Sequence, residues 1–91
     1  MRKRSRLDIV FEILEAIHDE GELGPTKLSI MINLSYDRVK KILDDMLKKK
    51  LIEVSPNQRQ GSTAFRLTSR GLTLLSELRR VRKLLEDYGL V

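Results

Sequence analysis

A chain of 91 residues with 41% hydrophobic and 34% charged side chains is one foldable domain and not a disordered tail, and its modest core would gain from a partner subunit. It has no cysteine, which excludes disulfides, thiol nucleophiles and thiolate metal sites and fits a reducing cytosol, and its 4% aromatic content leaves the core to Leu, Ile and Val. The net charge of +5 is unevenly laid out: residues 1–6 hold four basic groups, residues 7–25 hold six acids and no Lys or Arg, and the remainder is basic again. Such polarity suits one face to a polyanion and keeps another away from it.

Taken in chain order, Ser5 and Asp8 form a capping pair for a first helix. Leu7, Val10, Leu14 and Ile17 recur there at helical spacing, with Ile9, Phe11 and Ile13 widening the apolar surface. Gly21, Gly24 and Pro25 end it in a turn. A short second helix is expected from Thr26 to about Ile32, turning Leu28, Met31 and Ile32 inward, with Asn33 closing it in a left-handed conformation. Ser35 caps a third helix from Tyr36 to about Lys49, whose Val39, Ile42, Leu43, Met46 and Leu47 make one inward stripe. Opposite that stripe lie Asp37, Lys41, Asp44 and Lys48, with Arg38, Lys40 and Asp45 on the flanks. Asp37 has the four-residue spacing to pair with Lys41.

Residues 51–54 and 64–67 are short and β-prone, and the polar segment between them carries Pro56 and Gly61, the pattern of a hairpin. Phe65 and Leu67 are expected to face inward and Arg66 outward. Thr68 caps a last helix to about Tyr88, with Gly71 in its first turn, where a close approach to the hairpin would exclude a larger side chain. Leu72 and Leu75 anchor its start. Leu74, Leu78, Val81, Leu85 and Tyr88 then form a heptad seam of about two repeats that a small core could not cover alone.

Helix, turn, basic amphipathic helix and hairpin, in that order, outline a winged helix-turn-helix: a mainly α fold with a small β-hairpin (α+β). Residues 1–67 would be the DNA-binding part and 68–91 the dimerisation helix of one unit. In this fold the second helix of the turn presents its N-terminal, outward side to base edges, while the wing follows the sugar-phosphate backbone. The candidate DNA contacts are Arg2, Lys3 and Arg4 in the arm, Lys27, then Ser35, Tyr36, Asp37, Arg38, Lys40, Lys41 and Lys48, and finally Arg59 and Arg66 of the hairpin. The candidate dimer interface is Leu74, Leu78, Val81, Leu85 and Tyr88.

The segments Thr26-Lys-Leu-Ser-Ile-Met-Ile-Asn-Leu-Ser-Tyr36, Leu51-Ile-Glu53 and Phe65-Arg-Leu-Thr-Ser-Arg-Gly71 resemble the archaeal winged-helix proteins of about ten kilodaltons. The similarity runs from about Ser5 to Tyr88. It implies a homodimer joined by an antiparallel coiled coil of C-terminal helices, and a chromatin-type or regulatory DNA-binding role in the nucleoid. The third helix offers no outward Asn or Gln and only a flanking Arg for bidentate base reading, which favours weak specificity.

Catalysis has no support in the residues. His18, the one histidine, sits near a helix end beside acids, and neighbouring acids such as Asp44-Asp45 point apart on a helix. No phosphate loop, serine elbow or metal-ligand spacing occurs, and no cofactor or small-molecule ligand is expected. No stretch approaches the roughly 18 apolar residues of a membrane span, and Met1-Arg-Lys-Arg-Ser-Arg6 does not lead into a signal-peptide core, so a cytoplasmic location is expected. The alternative from another class is a winged-helix adaptor whose basic surface meets an acidic protein and not DNA.

Overall fold

The computed structural model describes residues 4–56 and 63–91. Arg2, Lys3 and Arg59, with most of the loop from Ser55 to Thr63, lie outside the described residues. The order is α1 (Arg6–Glu20), α2 (Pro25–Ile32), α3 (Tyr36–Lys48), β1 (Ile52–Val54), β2 (Phe65–Leu67) and α4 (Ser69–Asp87). This is the mainly helical winged-helix architecture with a two-stranded antiparallel hairpin and a long last helix.

The boundaries follow from capping chemistry. Ser5 Oγ accepts from the Asp8 amide while the Asp8 carboxylate accepts from the Ser5 amide, so two otherwise orphaned donors are satisfied at the start of α1. α2 begins one residue earlier than its sequence pattern indicates. Gly24 is its N-cap and Pro25 occupies the first turn, where the missing amide costs nothing. Asn33 ends α2 in the left-handed region at φ 56°, and Ser35 Oγ then accepts from the Arg38 amide to start α3. These two residues make the tight turn between the helices.

One core joins all the elements. Ile9, Ile13, Leu14 and Ile17 of α1 meet Leu28 and Ile32 of α2, Val39, Ile42, Leu43 and Met46 of α3, Ile52 and Phe65 of the hairpin, and Leu75 of α4. Three residues depart from the inward positions expected of them. Leu7, Met31 and Leu72 are exposed, each at the edge of its helix's apolar stripe. The hairpin pairs Ile52 with Leu67, Glu53 with Arg66 and Val54 with Phe65. Leu23, between α1 and α2, adds a bridge to Phe65 through two backbone hydrogen bonds of 2.8 and 3.0 Å, a third strand position reduced to one residue.

The start of α4 is wedged against the end of α3. A Cβ built on Gly71 would lie 2.1 Å from the Leu51 carbonyl oxygen, so only glycine permits this approach. Thr68 Oγ1 donates to the Lys50 carbonyl at 2.6 Å and accepts from the Gly71 amide, and Arg70 donates to the Lys49 carbonyl. From there α4 runs along α1, where Arg79 and Arg82 both pair with Glu15 and Arg82 stacks over the Phe11 ring.

Candidate nucleic-acid interface

α3 places its polar residues by helical geometry alone: four buried side chains take one face, so the opposite face is solvent's. Tyr36, Asp37, Arg38, Lys41 and Lys48 are exposed there, and Lys40 and Asp44 are half-buried on the flank. The anticipated Asp37–Lys41 pair does not form. Instead Lys40 Nζ holds Asp44 at 3.0 Å, and Arg6 at the start of α1 reaches Asp45. Two of the three aspartates of α3 are thereby neutralised. Arg38, Lys41 and Lys48 are left against Asp37, and among the described residues none of these four side chains has an ion pair or hydrogen bond. An unpaired surface cation has no internal partner to give up before it meets an anion.

The remaining candidates divide. Lys27 is exposed on α2 and lies 3.5 Å from Glu20. Ser35 has its hydroxyl occupied as the cap of α3. Arg66 is on the outer face of the hairpin, where its Nε donates to Glu53 across the strands at 2.6 Å. Arg4 is turned inward: it forms a salt bridge with Glu12 at 3.0 Å and donates to the carbonyls of Ile32 at 2.7 Å and Asn33 at 3.2 Å. It satisfies the carbonyl end of α2 and ties the N-terminal arm to the turn. α3 and its N-terminal cap are therefore brought together as one surface, while Arg4 and Arg66 are held in internal pairs.

Some neighbours of this surface were absent from the sequence candidates. Lys49 and Lys50 follow Lys48 in the same exposed stretch, with Lys50 at φ 61° where the chain turns into β1. The run of three lysines was the signal. Arg6 carried none, because its partner Asp45 is 39 residues away. Among the described residues no group of acids and histidine is placed to hold a metal ion, and no helix is long and apolar enough to cross a membrane.

The arrangement defines a winged helix-turn-helix, and comparison with known proteins agrees. A family model described as winged helix-turn-helix matches residues 3–86, and the chain belongs to that family. No curated protein sequence matches it. Among solved structures, the fold is similar to YusO from Bacillus subtilis, with a TM-score of 0.81 and 19% identity over 90% of this chain and 59% of that one. A mutant of MepR from a multidrug-resistant Staphylococcus aureus clinical isolate gives 0.78 and 18% over 91% and 62%. A cysteine-to-serine mutant of MarR from Escherichia coli, solved in complex with operator DNA, gives 0.68 and 19% over 78% and 51%. The chain thus spans between half and two thirds of the length of these structures, and what they share with it at such identities is the fold.

Proposed function

We propose that the chain binds double-stranded DNA as a homodimer, as a chromatin-type or weakly sequence-specific regulatory protein of the nucleoid. α3 enters the major groove, and the hairpin and the N-terminal arm lie on the backbone. The observation that carries this reading is the outward face of α3, where two aspartates are neutralised from within the chain and Arg38, Lys41 and Lys48 have no ion pair among the described residues. The same fold holds operator DNA in the complex of the MarR mutant, which supports the docking mode. The resemblance to the archaeal ten-kilodalton proteins supports the homodimer.

Phosphate contact dominates in this account. Lys41 and Lys48 end in ammonium groups, which act as point charges, and Tyr36 is the one exposed side chain in the first turn of α3 suited to apolar contact with a base edge. Binding is then strongly salt-dependent and tolerant of sequence. Fluorescence anisotropy with a random and a genomic duplex over a salt series tests both parts. Tight binding at low salt that weakens steeply, with little difference between the duplexes, is the expected result; no binding at low salt contradicts it.

A further inference from the structure

The chain leaves each of its four helices through a residue of positive φ, and one of these residues is out of character. Gly21 (φ 88°) follows α1, Asn33 (56°) follows α2 and Gly89 (72°) stands just beyond α4, all residue types that tolerate the left-handed region. The chain leaves α3 through Lys50, at φ 61°. Its hydrogen bonds are those that close α4. The Lys50 amide donates to the Leu47 carbonyl and the Leu51 amide to the Met46 carbonyl, as the Gly89 and Leu90 amides donate to the carbonyls of Glu86 and Leu85. This is a Schellman closure, whose left-handed position favours glycine. A long side chain held there against its backbone preference marks a side chain that is used.

Lys50 is exposed and lines a shallow groove of about 880 Å³ beside the hairpin and the first turn of α4. Arg66 and Arg70 line it too, and Glu53 is the one acid there. Glu53 is taken by Arg66 at 2.6 Å. Lys50 and Arg70 are left in the groove with no ion pair among the described residues. Both are steadied through the backbone: Arg70 Nη1 donates to the Lys49 carbonyl at 3.1 Å, and Thr68 Oγ1 donates to the Lys50 carbonyl at 2.6 Å.

We infer that Lys50 and Arg70 clamp a backbone phosphate of the duplex that α3 enters, so that the DNA surface runs off the end of α3 onto the start of α4. The inference rests on the proposed function and extends its surface by these two residues. Continuity selects the occupant. Lys41 and Lys48 share the outward side of α3, Lys49 and Lys50 follow directly in the chain, and Arg70 is bonded to the first of that pair. An ammonium point charge beside a planar guanidinium fork suits the oxygens of a phosphate. Phosphate contact also accounts for a lysine at the left-handed position, since removing its side chain should relieve the fold and weaken the binding.

Lys50→Gly separates those two effects. Its melting temperature should equal or exceed that of the wild type, while affinity for a random duplex falls about fivefold and the salt slope by about 1 per protomer. Arg70→Gln should lower the slope by a similar amount, and Arg70→Lys should keep most of it, because the charge and not the bond to Lys49 meets the phosphate. Lys83→Gln, at the far end of α4 and paired with Asp87, should leave affinity and slope unchanged. A wild-type chain that binds duplex and loses slope in Lys41→Ala, but keeps it in Lys50→Gly and Arg70→Gln, overturns the clamp and leaves the DNA reading intact. Equal losses from Lys83→Gln overturn it as well, since the effect would then be one of net charge. A fall in melting temperature for Lys50→Gly contradicts the strain on which the clamp rests. No duplex binding by the wild type at low salt removes the DNA reading, and the clamp with it.

Discussion

α3 and α4 are both amphipathic and both capped by a hydroxyl, yet they leave opposite surfaces to solvent. In α3 the apolar stripe of Val39, Ile42, Leu43 and Met46 is fully covered, and what remains outside is polar and net basic. In α4 only Gly71 and Leu75 are buried, and its second half shows Val81, Leu84 and Tyr88 to water. A helix whose apolar side is used up internally has only its charges to offer a partner. One whose apolar side is half used still has burial to gain, at about 25 cal/mol per Å². The first therefore suits a polyanion and the second another protein surface.

Ways to break the comparison begin where α4 leaves the domain. Gly71→Ala should cost more than about 3 kcal/mol, because the new methyl meets a backbone carbonyl that no rotamer change can move. Urea denaturation at fixed protein concentration would show it. Leu75→Ala should cost about 3 kcal/mol and Leu84→Ala less than about 1 kcal/mol when both are measured at a dilution that disfavours dimers, since only Leu75 is in the core. Similar losses at the two positions would mean that α4 is held along its whole length within the protomer.

The polar side of α3 is probed by Lys41→Ala with Lys48→Ala. Duplex affinity should fall about tenfold and the salt slope by about 1 per lysine, at unchanged melting temperature. Lys40→Ala should do less to the affinity than either, because Lys40 is already paired with Asp44. The smallest effect compares the two caps: Ser35→Ala should lower stability by about 1 kcal/mol and Thr68→Ala by about 2 kcal/mol. Thr68 is the costlier loss because it also donates to the Lys50 carbonyl. Equal costs would remove the second role of Thr68.

Local chemistry was well written in the sequence. The Ser5–Asp8 box, the left-handed Asn33, the Ser35 and Thr68 caps and the tight approach at Gly71 depend on neighbouring residues and strict conformations, so spacing and residue type carried them. Stripe edges were not legible. Leu7, Met31 and Leu72 have the period of inward residues, but whether a neighbour covers the edge of a stripe depends on how far the adjacent helix extends. The Leu23–Phe65 bridge escaped notice because a one-residue strand has no alternation to detect.

For the candidate site, helical spacing placed the polar residues of α3 opposite its buried stripe but did not show which of their charges pair. Asp44 was placed opposite the inward stripe and Asp45 on its flank, and spacing assigned neither of them a partner. Their partners are Lys40, one turn away, and Arg6, at the start of another helix. The first of these was one of several equally spaced choices, and the second existed only once α1 had packed. α3 is basic by count already, four cations against three aspartates, and the tertiary pair of Arg6 with Asp45, invisible in a linear pattern, adds to that excess.

That basic face is the central claim, and the salt dependence of duplex binding tests it most directly. Among the described residues Arg38, Lys41 and Lys48 are three cations on the outward face of α3 without an ion pair, hence six in the proposed dimer. If all six meet phosphates, log K should fall with log[salt] at a slope of about −5, and affinity for a random duplex should drop about a thousandfold between roughly 50 and 200 mM salt. A chain that is folded and dimeric but shows no binding at the low end of that series, or binds with a flat salt response, would contradict the account and favour an adaptor that meets a protein partner.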